Sequence, residues 1–214
     1  MVLVLPHIHH FSLFIAASLA LIVVPGPDSI YVISRSIAQG RQAGLLSSWG
    51  TSTGAFMHTI AAALGLSAIL ATSAYAFTMV KSIGAIYLIY LGVKTFFAQT
   101  HLGELEINQE KDTSSWAIFG QGILVDLLNP KSAIFFLAFL PQFIDPAIPS
   151  KAVTFVSLGT SFIFMALAWD LILIMSSTSI AHHLHQNGSL GRQLNRLTGI
   201  VFIGLGLRLA TEKL

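Results

Sequence analysis

The sequence predicts an all-α polytopic membrane protein of six transmembrane helices, arranged as a 3+3 inverted repeat with helices one and four broken near mid-membrane. Three observations carry that prediction. Of 214 residues, 54% are hydrophobic and only 9% charged, with a mean hydropathy of +0.77, whereas soluble domains carry about a quarter charged residues. Apolar runs of about twenty residues recur along the chain, each long enough for a hydrocarbon core of about 30 Å. Two of the runs are interrupted near their middles, at Pro25-Gly26-Pro27-Asp28 and at Asp126-Leu127-Leu128-Asn129-Pro130-Lys131. Lipid tolerates broken helix and buried charge only where protein or water lines the break.

Helix one begins at Phe11 and is apolar to Val24; the break follows, and Asp28 to Gln39 continues as helix. The first apolar stretch has neither a basic leading segment nor a small-residue cleavage site, so it is expected to be retained rather than removed as a signal peptide. Gly40 to Gly44 is expected to turn, with Arg35 and Arg41 marking a membrane boundary. Helix two runs from about Leu45 to Leu70 and carries Gly50, Gly54 and Ala62, small residues that let helices approach in lipid. Helix three, about Tyr75 to Ala98, holds Lys81 and Lys94, both expected to snorkel toward headgroups. The polar loop Gln99 to Ser115, with Glu104, Glu106, Glu110, Lys111 and Asp112, reads as a solvated linker. Helix four spans about Trp116 to Phe143, with Pro130 forcing a kink or opening; Pro141 and the Asp145-to-Pro149 turn end it. Helix five is predicted over Ala152 to Ser177, followed by a loop to about Asn195 holding His182, His183 and His185. Helix six runs from about Leu194 to Leu209.

The two halves echo each other in order. Pro27 corresponds to Pro130, Gly50-Thr51-Ser52 to Gly159-Thr160-Ser161, and Leu91-Gly92-Val93-Lys94 to Leu205-Gly206-Leu207-Arg208, at offsets of 103, 109 and 114 residues. Three helices per repeat make the second half enter the membrane from the opposite side, which gives a pseudo-two-fold axis in the membrane plane. The whole chain, 1–214, is then one transmembrane unit: repeat 1 over about 8–98, the polar loop 99–115, and repeat 2 over about 116–211. With the N-terminus outside, six of the basic residues that face water fall on the cytoplasmic side and four on the other, which favours that orientation.

The composition excludes several classes. A formal charge of +2 with scattered bases gives no nucleic-acid surface, and zero Cys removes disulfide, thiol and thiolate-metal chemistry. His7, His9 and His10, like the later histidine group, lack a ligand spacing that would specify a metal. No His-Glu-x-x-His or Gly-x-Ser-x-Gly motif suggests an enzyme, and no cofactor is expected.

The groups left to do work cluster at the breaks. Gly26 between Pro25 and Pro27 exposes backbone, and Asp28 can cap the helix that follows or attract a substrate's ammonium. At the second break Asn129 can cap the segment beginning at Pro130. Asp126 and Lys131, five positions apart, are expected to be neighbours, as a self-neutralising pair or as a binding site. Carboxylate, ammonium, amide and half-helix ends together suit a small zwitterion such as an amino acid. Asp170 and His58 are candidates for proton coupling. Trp49, Trp169, Tyr87 and Tyr90 read as packing or interface aromatics.

Pro25-Gly26-Pro27-Asp28 with Ser34-Arg35-Ser36 and Gly40-Arg41-Gln42-Ala43-Gly44, then Leu127-Leu128-Asn129-Pro130-Lys131 and Phe139-Leu140-Pro141-Gln142-Phe143, closely resemble the LysE/RhtB family of amino-acid exporters. Asn195-Arg196-Leu197-Thr198-Gly199 and Gly204-Leu205-Gly206-Leu207-Arg208 fit as well, so the similarity covers nearly the whole chain. The resemblance implies a multi-pass carrier of the bacterial inner membrane, exporting an amino acid or related metabolite on the proton or charge gradient. It places the motifs on Pro25 to Asp28 and Asn129 to Lys131. Asp126 stands where that family commonly has Asn, a difference bearing on charge preference. A transporter or channel for another small solute or ion on the same broken-helix scaffold is the alternative, and a homodimer is compatible with either.

Overall fold

A computed structural model describes residues 11–66, 74–97, 113–144, 151–186 and 188–211. Every regular element among them is helical. Helix α1 (Phe11–Val23) and α2 (Pro27–Gln39) are the halves of the first broken helix. The chain then reverses at a single residue, Gly40, whose φ of 86° a side chain would resist. The turn expected over Gly40 to Gly44 is therefore shorter: α3 already starts at Arg41, runs to Ala61 and ends in a π-helical turn, Ala62–Leu66. Helix α4 is Ala74–Phe97. Helix α5, Ser115–Leu127, is capped by the Ser114 hydroxyl, which accepts from the Ala117 amide at 3.3 Å. Helix α6, Pro130–Ile134, continues through a wide turn, Phe135–Phe139, and a tight one, Leu140–Phe143.

Helix α7 extends from Lys151 to Gln186, and α8 from Gly188 to Thr211. The loop predicted after Ser177 is instead mostly helix, because the run 178–186 holds neither Gly nor Pro to interrupt it. The histidines at the N-terminus, most of the polar loop, the Asp145-to-Pro149 turn and the expected end of helix two lie outside the described residues.

Polarity is distributed inside out. Ser18, Ser47, Thr59, Lys81, Asp126, Asn129, Lys131 and Asp170 are buried, while Leu64, Ile83, Ile86, Phe97, Trp116, Leu128 and Phe164 are exposed. Water would penalise that surface and hydrocarbon would not, so the outer solvent is lipid. Lys81 is thus buried rather than snorkelling, whereas Lys94 is exposed as expected. By length and composition α7 crosses a membrane unbroken over Lys151–Ser177, and the α1–α2 and α5–α6 pairs each qualify as one bent span.

Packing depends on small residues. A Cβ on Gly50 of α3 would strike the Phe119 carbonyl and lie 3.0 Å from Gly122 of α5; one on Gly54 would lie 2.7 Å from the Asp126 Cβ. These contacts advance together along both chains, so α3 and α5 run parallel. Helix α7 runs antiparallel to α3, with Ser48 meeting Asp170 and Thr59 meeting Gly159. Helices α4 and α8 are antiparallel and reciprocal: Gly92 abuts Gly199 and Ile203, while Gly206 abuts Ala85 and Ile89. Adding 114 to Ala85, Ile89 and Gly92 gives Gly199, Ile203 and Gly206, the same offset that relates Leu91 to Leu205. Below the breaks lies a phenylalanine cluster, with Phe135 against Phe162 at 4.4 Å and Phe14 against Phe143 at 5.4 Å. In lipid such packing stabilises through dispersion and close fit rather than by exclusion of water.

Candidate functional site

Both breaks are built alike. In the first, the Val24 amide makes the last bond of α1 to Ala20, Gly26 is extended (φ −129°, ψ −179°), and Pro27 opens α2. In the second, Leu128 closes α5, Asn129 is extended (φ −77°, ψ 110°), and Pro130 opens α6. Proline suits the first position because its missing N–H would have no helical acceptor there. The halves bend by 49° and 51°. Asn129 caps α6 as expected, accepting from the Lys131 amide at 3.0 Å. Asp28 does not cap α2: Gly26 occupies the cap, and the Asp28 side chain turns toward the other break.

There it meets Lys131. The Lys131 ammonium lies 3.1 Å from Asp28 Oδ1 and donates to the Val24 carbonyl at 3.2 Å, while Asn129 Nδ2 donates to the same Asp28 oxygen at 3.3 Å. The ion pair expected between Asp126 and Lys131 is therefore replaced by one between the residues that follow each proline. Positions five apart on a helix point to different faces, and the break between Asp126 and Lys131 separates them further. Gly26 makes the pairing possible, since a Cβ there would lie 2.7 Å from the Lys131 ammonium. The cation also sits against the free carbonyl at the end of α1, where the helix dipole favours it.

Asp126 is buried; its Oδ1 accepts from the Ser132 hydroxyl at 2.7 Å, and its Oδ2 has no hydrogen-bond partner. Asp170, on α7, accepts from the Ser48 hydroxyl at 2.7 Å. Asp28, Asp126, Lys131 and Asp170 line one cavity of about 30 Å³, room for a water molecule or so. Its remaining wall is Ser29, Thr51, Ser52 and Ser132 on the polar side, and Ile22, Ala55, Phe162, Ile163, Ala166 and Trp169 on the apolar side.

Of the residues singled out in the sequence, Asp28, Asp126, Lys131 and Asp170 come together here. Pro25, Gly26, Pro27, Asn129 and Pro130 shape the two breaks. His58 stands outside the lining: its ring stacks on Phe136 at 5.8 Å between centroids and its Nε2 faces the Asp126 carbonyl at 3.3 Å. Trp169, read as a packing or interface aromatic, lines the cavity instead. Ser48 and Ser132 were not singled out. Polar residues recurring four apart in an apolar helix, as Ser48 and Ser52 do, were the available signal. No group of three or more metal-ligating side chains occurs among the described residues.

The profile of LysE type translocators matches residues 19–213. The chain is 30% identical over 198 residues to the leucine efflux proteins of Salmonella typhimurium and Salmonella typhi, covering 92% of this chain and 93% of each of those. It is 31% identical over 209 residues to the uncharacterized membrane protein YrhP of Bacillus subtilis, covering 94% and 98%. No solved structure matches. A match over nine-tenths of the chain, a range that includes both helix breaks, identifies it: the protein belongs to the LysE type translocator family, a transporter of the bacterial inner membrane and not an enzyme.

Proposed function

We propose that this protein exports an amino acid or closely related metabolite by alternating access, driven by the proton gradient, with the cargo held between the two broken helices. The observation that carries this reading is the meeting of Asp28 and Lys131 across the breaks, beside a cavity with one polar and one apolar wall. An ammonium is drawn to Asp28 or to the unpartnered oxygen of Asp126. A carboxylate is drawn to Lys131 and the start of α6. Ile22, Phe162, Ile163 and Trp169 offer an aliphatic side chain a dry surface, in keeping with the relatives named for leucine efflux. Asp126 and Asp170 face the same cavity, and intramembrane carboxylates so placed serve as proton relays. Asp126, where the wider family commonly has Asn, adds a second carboxylate for that task.

The architecture proposed is six spans in two inverted repeats with the N-terminus outside. Parallel α3 and α5, antiparallel α3 and α7, and antiparallel α4 and α8 agree with six alternating spans. The reciprocal Gly92 and Gly206 contacts support a two-fold between α4 and α8. Gly92→Val and Gly206→Val are then expected to lower the melting temperature comparably, each by overpacking worth about 1–3 kcal/mol. A loss confined to one of them would count against the symmetry.

The transport reading is tested with proteoliposomes preloaded with radiolabelled basic, hydroxyl and branched amino acids. Efflux of one group above protein-free vesicles, faster with a proton gradient than with it collapsed, is the expected result. Folded protein that moves no amino acid would overturn it.

A further inference from the structure

The cavity is too small for an amino acid, and the one ammonium on its wall, Lys131, is already paired with one of the three carboxyl groups that line it, Asp28. The Lys131 side chain is 6% exposed and that of Asp28 25%. Each residue follows the proline that starts its half-helix, 103 positions apart, the offset that relates Pro27 to Pro130. The pair thus joins corresponding points of the two breaks. Nothing in helix geometry requires the contact, because each half-helix is complete without it: Ile30 bonds back to Gly26, and Ala133 to Asn129. What the contact does is leave neither charge alone in a buried site.

Resting on the export reading above, we propose that the Asp28–Lys131 ion pair is an internal stand-in for the two charges of the cargo. It opens when a zwitterion inserts between its partners and re-forms when the zwitterion leaves. Insertion exchanges one ion pair for two, Asp28 with the cargo's ammonium and Lys131 with its carboxylate, and no charge stays unpaired. A molecule carrying only one of those groups must break the pair and strand the other partner, which is costly in a buried site. The site therefore selects for the presence of both charges, independently of the apolar wall that reads the side chain. Asp126 and Asp170 face the same cavity from α5 and α7, each engaged by a serine hydroxyl, and contribute no cation that could replace Lys131.

Three probes of one carbon skeleton separate the possibilities: L-leucine, 4-methylpentanoate (no amine) and isopentylamine (no carboxylate). With the unaltered protein in proteoliposomes, neither analogue alone is expected to inhibit leucine efflux appreciably, whereas the two together should. In Asp28→Asn the preference should turn toward 4-methylpentanoate, and in Lys131→Met toward isopentylamine, each by roughly tenfold or more relative to leucine. Binding followed by thermal shift on monodisperse protein gives the same comparison where transport is slow. Either analogue alone competing as well as leucine with the unaltered protein would overturn the inference while leaving export standing. So would variants that weaken all three probes equally. Absence of leucine movement by the unaltered, folded protein, with the other amino acids equally inert, would overturn the export reading itself and this inference with it.

Discussion

Gly50→Val is expected to separate α3 from α5 and to abolish transport together with the folded state. The added side chain would strike the Phe119 carbonyl, with the Gly122 Cα only 3.0 Å from its first carbon. These are backbone atoms of a helix and cannot rotate aside. Overpacking of a well-fitted core costs about 1–3 kcal/mol when side chains can adjust, and here a whole helix must move. The same interface carries Gly54 against Asp126, so displacement of α5 also shifts a cavity carboxylate. Gly120→Val on α5 is the control, because a Cβ there meets nothing within 4 Å. Melting in detergent and efflux from vesicles should both collapse for Gly50→Val and stay near the unaltered values for Gly120→Val. Equal behaviour of the two variants would show that α3 and α5 do not depend on this close approach.

The scaffold was legible because its causes are local. Proline at two positions inside apolar runs announces two broken helices whatever surrounds them, and Asn before Pro130 announces its own cap. The stripe of Gly50, Gly54 and Ala62 announces a close helix contact, though not its partner. What stayed hidden was long-range. The sequence makes Asp126 the obvious mate of Lys131; the actual mate is Asp28, brought in by the crossing of two bends that no window of residues encodes. Asp28 at a helix start reads as a cap, yet Gly26 takes that place because only a residue without Cβ clears the Lys131 ammonium. Lys81 failed for a related reason. Snorkelling assumes a free path to the headgroups, and the Lys81 side chain is instead buried inside the fold.

The cavity's size has a mechanical consequence. At about 30 Å³ the cavity is smaller than an amino acid, so on the export reading loading requires the half-helices to move apart. The breaks are suited to this. At Pro25 to Pro27 and at Asn129-Pro130 the ladder of helical hydrogen bonds is interrupted, so rotation there breaks fewer hydrogen bonds than within the half-helices. The phenylalanine cluster beneath, by contrast, is closely packed, and cores of that density resist local deformation.

Lys131→Met tests the centre of this arrangement. Removing the ammonium leaves Asp28 with only the Asn129 amide at 3.3 Å and strips the Val24 carbonyl of its donor. Breaking a buried pair at one partner costs about 3–5 kcal/mol, because the other charge stays behind. The partial exposure of Asp28 sets the expectation at the lower end, about 3 kcal/mol. Removing both partners, in Asp28→Asn with Lys131→Met, should therefore destabilise less than Lys131→Met alone, since no charge is stranded. Transport of a zwitterion should fall by roughly tenfold or more in both, as the carboxylate's partner is gone in each. Lys131→Arg keeps the charge, but the space beside Gly26 fits a compact ammonium and not a planar guanidinium, so it should restore stability only in part. A double variant less stable than Lys131→Met would mean that the pair contributes through packing rather than through charge, and the ion pair would then lose its place as the joint between the two halves.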